Sequence, residues 1–376
     1  MTIVWFSWKD IRHPLAGGAE RVGHEWRRRL SREGHVVRHL TARYAGSLAR
    51  ETIDGVDTVR RGRTFLGHYP AALHAYRREL RADTDLIVEE VNTVPYFTRA
   101  VRGRARTVLL YYQLARDIWF YQTPTPVAVA GYVAEALYTR AQGWGRPTTI
   151  TISDDSKRDL TAFGFDAAHV HVVRVGIDNE PLAAYEPAAK AAEFTVLFHG
   201  SLRSMKRPMQ AVVAFEEFLG AGAHGRLWIS GSGEGETALR EYVQTHGLGD
   251  HVTFYGRTDE AEKLRLMRAA TVTVATSVKE GWGLIVTEAN SMGTPALVYD
   301  VDGLRAAAGR HNWVVPPRPG SLGARLLDAL RAFDSRDTYD EWCAQVLDDS
   351  RPFTHDASYA DFRQALFPAV PGWSHG

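Results

Sequence analysis

Residues 280–295 read EGWGLIVTEANSMGTP, between the apolar runs TVTVA and PALVY. Gly281 and Gly283 break the chain, so a helix is expected to begin at Leu284, with Glu280 in the loop before it and Glu288 one turn inside. The free N–H groups of Leu284 and Ile285 would point out of that helix start, a place suited to a diphosphate. Two carboxylates beside a phosphate repel it unless hydroxyls or cations intervene. The spacing therefore suits a polyol carrying a diphosphate, with sugar and ribose hydroxyls donating to Glu280 and Glu288. A helix-dipole role would account for one glutamate but not for the flanking Gly-Trp-Gly.

The cations to neutralise such a diphosphate should come from another loop at the carboxyl edge of the same sheet. TVLFHGSLRSMKRP, residues 195–208, offers an apolar run, Gly200, then Arg203, Lys206 and Arg207 ahead of a helix. A second glycine pair, Gly17 and Gly18, follows the first apolar run and precedes a helical pattern, so its backbone amides could also close on an anion. The segment GSGEG at 231–235 has the same position after a strand and is a weak signal alone. Asp300 and Asp302 imitate a metal-binding Asp-x-Asp pair but follow the last of these runs in isolation, and the histidines show no ligand spacing. No metal site is expected.

These loops need a scaffold. Apolar runs of five to seven residues alternate with amphipathic stretches of ten to fifteen, the rhythm of βαβ units and parallel sheets. Strands are expected near 3–8, 36–40, 86–89, 108–112, 149–152 and 170–173, and again near 195–199, 227–230, 252–255, 272–275 and 295–298. The fold class is α/β, with two doubly wound sheets. Domains are expected at 1–178 and 194–350, with a polar, Ala-rich linker at 179–193 and a C-terminal segment at 351–376.

With 376 residues, 45% hydrophobic and 24% charged, the chain is too long for one ordinary core. A net charge of +1 disfavours whole-chain nucleic-acid binding, and a single cysteine, Cys343, excludes a disulfide framework and fits a reducing, cytoplasmic compartment. The start lacks the pattern of a signal peptide, and the longest apolar-rich stretch, 126–138, is too short to span a bilayer. The neutral total conceals a dipole: residues 1–178 hold 26 basic and 19 acidic side chains. Much of that excess sits at Arg27, Arg28, Arg29 and Arg32, expected as a solvated helix face, with docking to an anionic membrane as the sharper reading.

The sequence resembles the retaining family 4 glycosyltransferases of GT-B architecture, through GGAERV (17–22), ISDDSKRDL (152–160), VVRVGID (172–178), HGSLRSMKRP (199–208), WISGSGEG (228–235), VTFYGR (252–257) and EGWGLIVTEANSMGTPAL (280–297). The pieces cover nearly the whole chain in order. The resemblance implies two Rossmann-like domains facing across a cleft, a nucleotide-sugar donor held mostly by the second and an acceptor by the first. It also implies a C-terminal helix near 356–366 that returns to the first domain. On it, Gly17, Gly18, Gly200 and Gly283 with Leu284 and Ile285 would approach the donor. Arg203 and Lys206 would neutralise the diphosphate, Glu280 would hold the sugar, Glu288 the ribose, and backbone near Arg257 the base. The implied activity is a hexosyl transfer with retention, without metal or other cofactor, from a nucleotide diphosphate sugar, with a UDP-sugar favoured. The acceptor would be a hydroxyl of a glycan, a lipid-linked molecule or a natural product.

Three departures stand out. Ser201 replaces the Arg of a Gly-Arg-Leu, Tyr112 with Gln113 stands where relatives often have His, and Val175 replaces an Asn. Glu90, Asn92, Arg116 and Trp119 are expected to face the acceptor beside Tyr112 and Gln113. A donor-binding protein that has lost catalysis, or a nucleotide-sugar epimerase of the same architecture, are the alternatives.

Overall fold

The computed structural model describes residues 1–367, and of Phe65 and Leu66 the backbone alone. The end of the expected C-terminal segment, 368–376, lies outside the described residues. The described chain forms two compact units: residues 1–116, 129–176 and 355–367, and residues 117–128 and 177–354.

The first unit is built on strands β1 (Thr2–Phe6), β2 (Val36–Thr41), β3 (Arg50–Ile53), β4 (Val56–Arg60), β5 (Leu86–Val91), β6 (Arg106–Tyr111), β7 (Thr149–Thr151) and β8 (Val170–Val172), in the order 3-4-2-1-5-6-7-8. All pair in parallel except the β3–β4 hairpin. That hairpin is absent from the sequence expectation. Its Asp54-Gly55 turn has positive φ at both residues, 50° and 85°, the geometry an Asp-Gly hairpin needs. Val4, Phe6, Leu40, Val59, Tyr76, Ile87 and Tyr96 fill one side of the sheet.

The second unit carries β9 (Thr195–His199), β10 (Arg226–Ser230), β11 (Val252–Gly256), β12 (Val272–Ala275), β13 (Ala296–Tyr299) and β14 (Trp313–Val315), in the order 11-10-9-12-13-14. Every pairing is parallel. Strand β14, three residues long, is again one the sequence reading lacked. The order reverses between β1 and β5 and between β9 and β12, so each sheet is doubly wound with a switch point at its carboxyl edge.

In chain order the helices are α1 (Gly18–Arg32), α2 (Phe65–Ala75), α3 (Ile118–Gln122), α4 (Thr125–Gly143), α5 (Asp154–Ala162), α6 (Pro208–Gly220), α7 (Glu236–Thr245), α8 (Glu260–Ala269), α9 (Leu284–Ser291), α10 (Leu304–Ala308), α11 (Ser321–Asp334), α12 (Arg336–Ser350) and α13 (His355–Leu366). Helix α13 belongs to the first unit, against α1. There Phe362 stacks on Trp26 at 4.4 Å, and Trp26 Nε1 donates to Ser358 Oγ at 3.0 Å. The stretch 179–193, expected as a linker, is tied to the second unit. Leu182 N–H donates to Ser291 O at 2.9 Å, Ala191 N–H to Ala269 O at 2.8 Å, and Lys190 Nζ to Ala270 O at 3.0 Å. Residues 117–128, read from sequence as part of the first domain, belong to the second unit, where Ser204 Oγ donates to Tyr121 O at 2.8 Å and Arg207 to Tyr121 Oη at 2.7 Å.

Candidate active site

The carboxyl edge of the second sheet gathers three loops. After β9, Gly200 adopts φ 152° and lies so close to Gly231 that a Cβ on Gly231 would stand 1.8 Å from Gly200 O. Only glycine fits there, which explains the GSGEG segment as a packing requirement. The chain then rises through Arg203 to Lys206 and turns at Arg207, whose φ of 49° sets the start of α6. This loop is laced to the one after β12. Thr276 Oγ1 lies 2.9 Å from both Lys206 O and Arg207 O, and Val278 N–H donates to Met205 O at 2.9 Å.

That lacing places Lys206 Nζ against Glu280 Oε1, which also accepts from Ser277 Oγ at 2.6 Å. Gly303 supports the arrangement from below, since a Cβ there would lie 2.1 Å from Glu280 O, and Glu280 N–H donates to Asp302 O at 3.1 Å. Lys206 and Glu280 side chains are 27% and 14% exposed, so the pair is reachable by a ligand. Arg203 is exposed at the rim of the same loop, and Arg257 is exposed just after β11.

Glu288 occupies the first turns of α9, as the spacing predicts. Its counter-ion is Lys263, on α8, 3.0 Å from Glu288 Oε1 and 2.6 Å from Glu260 Oε1. Burial pushes the Glu288 carboxyl above its usual range, and Lys263 pulls it back. Lys263 escaped the sequence reading because it lies in an ordinary amphipathic helix far from any glycine break. Its near-complete burial, at 5% exposure, is the signal, and burial is not written in the sequence.

Two expectations at α9 and α1 need correction. Leu284 N–H is not free, because it donates to Trp282 O at 2.9 Å in a tight turn. At α1, Gly17 N–H donates to Glu20 Oε2 at 2.7 Å, and Glu20 Oε1 pairs with Lys9 at 3.0 Å. The anion-accepting end of α1 thus already holds a carboxylate of its own.

Four of the six residues expected to face an acceptor, Glu90, Asn92, Tyr112 and Gln113, stand at or just past the ends of the paired strands β5 and β6. Glu90 and Tyr112 turn beneath α1: Glu90 is 2% exposed, accepts from Trp5 Nε1 at 3.0 Å, and lies 3.9 Å from Arg27, while Tyr112 Oη donates to Ala19 O at 3.0 Å. Gly23 makes room for this cluster, its missing Cβ falling 3.0 Å from Tyr112 Oη and 3.1 Å from Arg27. Burial pushes the Glu90 carboxyl up to about 7, against the pull of Arg27. Arg116 is locked over the Tyr132 ring at 3.6 Å, with its backbone amide donating to Glu135. Trp119 belongs to the second unit, while Asn92 and Gln113 stay half-buried at the ends of β5 and β6 in the first.

The arginine stripe of α1 is likewise not a solvated face. Arg27 is fully buried over Trp5 at 4.9 Å, Arg28 and Arg29 pair with Glu25, and Arg29 also reaches Asp356 at 2.6 Å. Of the four, Arg32 alone is exposed. Asp300 and Asp302 are both paired to Arg305, and Asp302 also lies 3.5 Å from Lys279.

The profile for Glycosyltransferase Family 4 matches residues 16–181, and that for Glycosyl transferases group 1 matches residues 185–341. A D-inositol 3-phosphate glycosyltransferase of Mycobacteroides abscessus is 30% identical over 170 residues, covering 42% of this chain and 38% of the relative. A phosphatidyl-myo-inositol mannosyltransferase of Mycobacterium leprae is 32% identical over 198 residues, 51% of each chain. These matches span about half or less of the length of the curated relatives. Among solved structures, sucrose-phosphate synthase from Thermosynechococcus elongatus superposes with a TM-score of 0.76 at 20% identity, covering 96% of this chain and 97% of that one. WaaG, a glycosyltransferase involved in lipopolysaccharide biosynthesis, does so with 0.74 at 15% identity, covering 98% and 100%. With both halves matched in order and both sheets doubly wound, the chain belongs to the family 4, group 1 glycosyltransferases and has the GT-B fold.

Proposed function

We propose that the chain transfers a hexosyl group from a nucleotide diphosphate sugar, a UDP-sugar by preference, to an acceptor hydroxyl with retention at the anomeric carbon. The observation that carries this reading is the pair Glu280 and Glu288 on either side of the α9 start, each met by a lysine from another element, Lys206 and Lys263. Two counter-charged carboxylates flanking a helix start suit a ligand with hydroxyls at both ends and an anion between. In this reading Glu280 accepts from the sugar and Glu288 from the ribose, and backbone after β11 near Arg257 lies along the base.

No carboxylate serves as nucleophile. The departing diphosphate takes the acceptor proton while Arg203, Lys206 and the Ile285 amide stabilise its growing charge, as positioned donors do in a pre-organised site. Divalent metal is not required, since guanidinium and ammonium do the electrostatic task a cation would do. The acceptor is a glycan, lipid-linked or natural-product hydroxyl, and the single cysteine fits work in the reducing cytoplasm. The test is incubation with UDP-, GDP- and dTDP-sugars without acceptor. Slow release of free sugar and nucleoside diphosphate supports transferase chemistry. Epimerised sugar, or binding without turnover, overturns it in favour of an epimerase or a donor-binding protein.

A further inference from the structure

Helix α4 is inside out. Over its portion in the first unit, the side chains turned inward are polar: Glu135 accepts from the amides of Ala115 at 2.6 Å and Arg116 at 2.7 Å, Thr139 is fully buried, and Gln142 donates to Glu89 at 3.0 Å. The side chains turned outward are apolar: Val129 is 49% exposed, Val133 53%, Leu137 64% and Trp144, just past the helix end, 85%. Spacings of four, four and seven put these on one side of a helix, and Ala130, Ala134 and Ala141 widen the stripe. It runs about 22 Å at the rise of an α-helix. A soluble helix buries such a face.

We propose that this face lies in the headgroup layer of an anionic lipid bilayer. Charge selects that occupant. Arg140 is the one charged side chain on the outward stripe, which carries no carboxylate, and Arg146, two residues past Trp144, stays 75% exposed while lying 3.4 Å from Asp166. Residues 99–146 hold seven arginines against two acidic residues, Asp117 and the buried Glu135. Arg99 steadies the end of the helix by donating to Gln142 O at 2.9 Å and Trp144 O at 2.7 Å. An apolar stripe closed by an exposed tryptophan and arginines matches a membrane interface, with the ring among headgroups and the guanidiniums on lipid phosphates. A second copy of the chain would oppose arginine to arginine with no carboxylate on the stripe to pair with either. Among the described residues no helix is long and apolar enough to cross a membrane, so contact is along the surface. The face lies in the first unit, and its docking is independent of the donor chemistry proposed for the second.

The experiment is co-sedimentation of the full chain with phosphatidylcholine vesicles with and without phosphatidylglycerol, alongside sedimentation velocity without lipid. The wild-type chain should pellet with the anionic vesicles in 0.1 M NaCl and weaken in 0.5 M. Val133→Glu with Leu137→Glu should cut partitioning at least tenfold, and Trp144→Ala severalfold, with unchanged circular dichroism because all three positions are exposed. Arg32→Glu on α1 should bind as wild type. Failure to pellet, equal pelleting of the double variant, or a lipid-free dimer that the double variant dissolves would overturn the proposal.

Discussion

Lys263 Nζ lies 3.0 Å from Glu288 Oε1 with both side chains largely withdrawn from water, at 7% and 13% exposure. Burial pushes the Glu288 carboxyl above its usual range, and the ammonium pulls against that shift. Lys263→Met should therefore weaken nucleoside diphosphate binding about tenfold near pH 6. Between pH 6 and 8 the variant should recover affinity relative to wild type, because rising pH ionises the unassisted Glu288. Isothermal calorimetry at the two pH values reads this directly, and a pH-independent loss would make Lys263 a purely structural residue.

Glu280 and Lys206 share one contact but have different proposed duties. Glu280→Gln keeps an acceptor for Lys206 and Ser277, so nucleoside diphosphate affinity should stay within a few fold while turnover falls at least tenfold. Lys206→Ala removes charge next to the leaving group and should lower kcat by about two orders of magnitude, the usual cost of one positioned electrostatic partner. Glu288→Ala should instead weaken nucleotide binding. Equal binding losses for Glu280→Gln and Glu288→Ala would refute the division between sugar and ribose.

Activity in excess EDTA should stay near its starting value. Arg305 and Lys279 already neutralise Asp300 and Asp302, so Asp302→Asn should leave the metal response unchanged. Loss of turnover in EDTA with rescue by manganese is the result that contradicts the proposed site.

Beneath α1, Glu90 holds its proton up to about 7 against an ordinary 4.5. The folded state then binds a proton that the unfolded chain has released, so this stabilisation is complete below about pH 4.5 and is lost as pH rises through 7. Glu90→Gln lacks that loss. The variant's stability relative to wild type should increase between pH 5 and 8, by roughly 3 kcal/mol at most for a shift of that size. Urea unfolding at both pH values measures the difference, and a constant offset would show that Arg27 keeps Glu90 ionised throughout.

Glycine breaks, apolar runs and the seven-residue gap between Glu280 and Glu288 were sufficient, from sequence alone, for two doubly wound parallel sheets, the start of α9 and the loop bearing Lys206. Those features are local: a glycine at positive φ, an apolar run or a helix register is decided within a dozen residues. The Asp54-Gly55 hairpin was equally local and was legible in principle. What the sequence left open depended on which way a side chain turns. Arg27, Arg28 and Arg29 look alike in a string of letters, yet Arg27 is buried over Trp5 while its neighbours pair with Glu25, because 100° of helix rotation separates adjacent residues. Glu90 and Tyr112 end their strands where an acceptor was expected, and the missing Cβ of Gly23 lets them fold under α1 instead. Lys263 meets Glu288 because α8 and α9 pack side by side, and α4 turns its apolar face outward because Glu135, Thr139 and Gln142 lie inward, two of them bonded to groups distant in sequence. Composition and spacing fix which groups a chain owns, and only long-range packing decides which of them meet water, each other or a ligand.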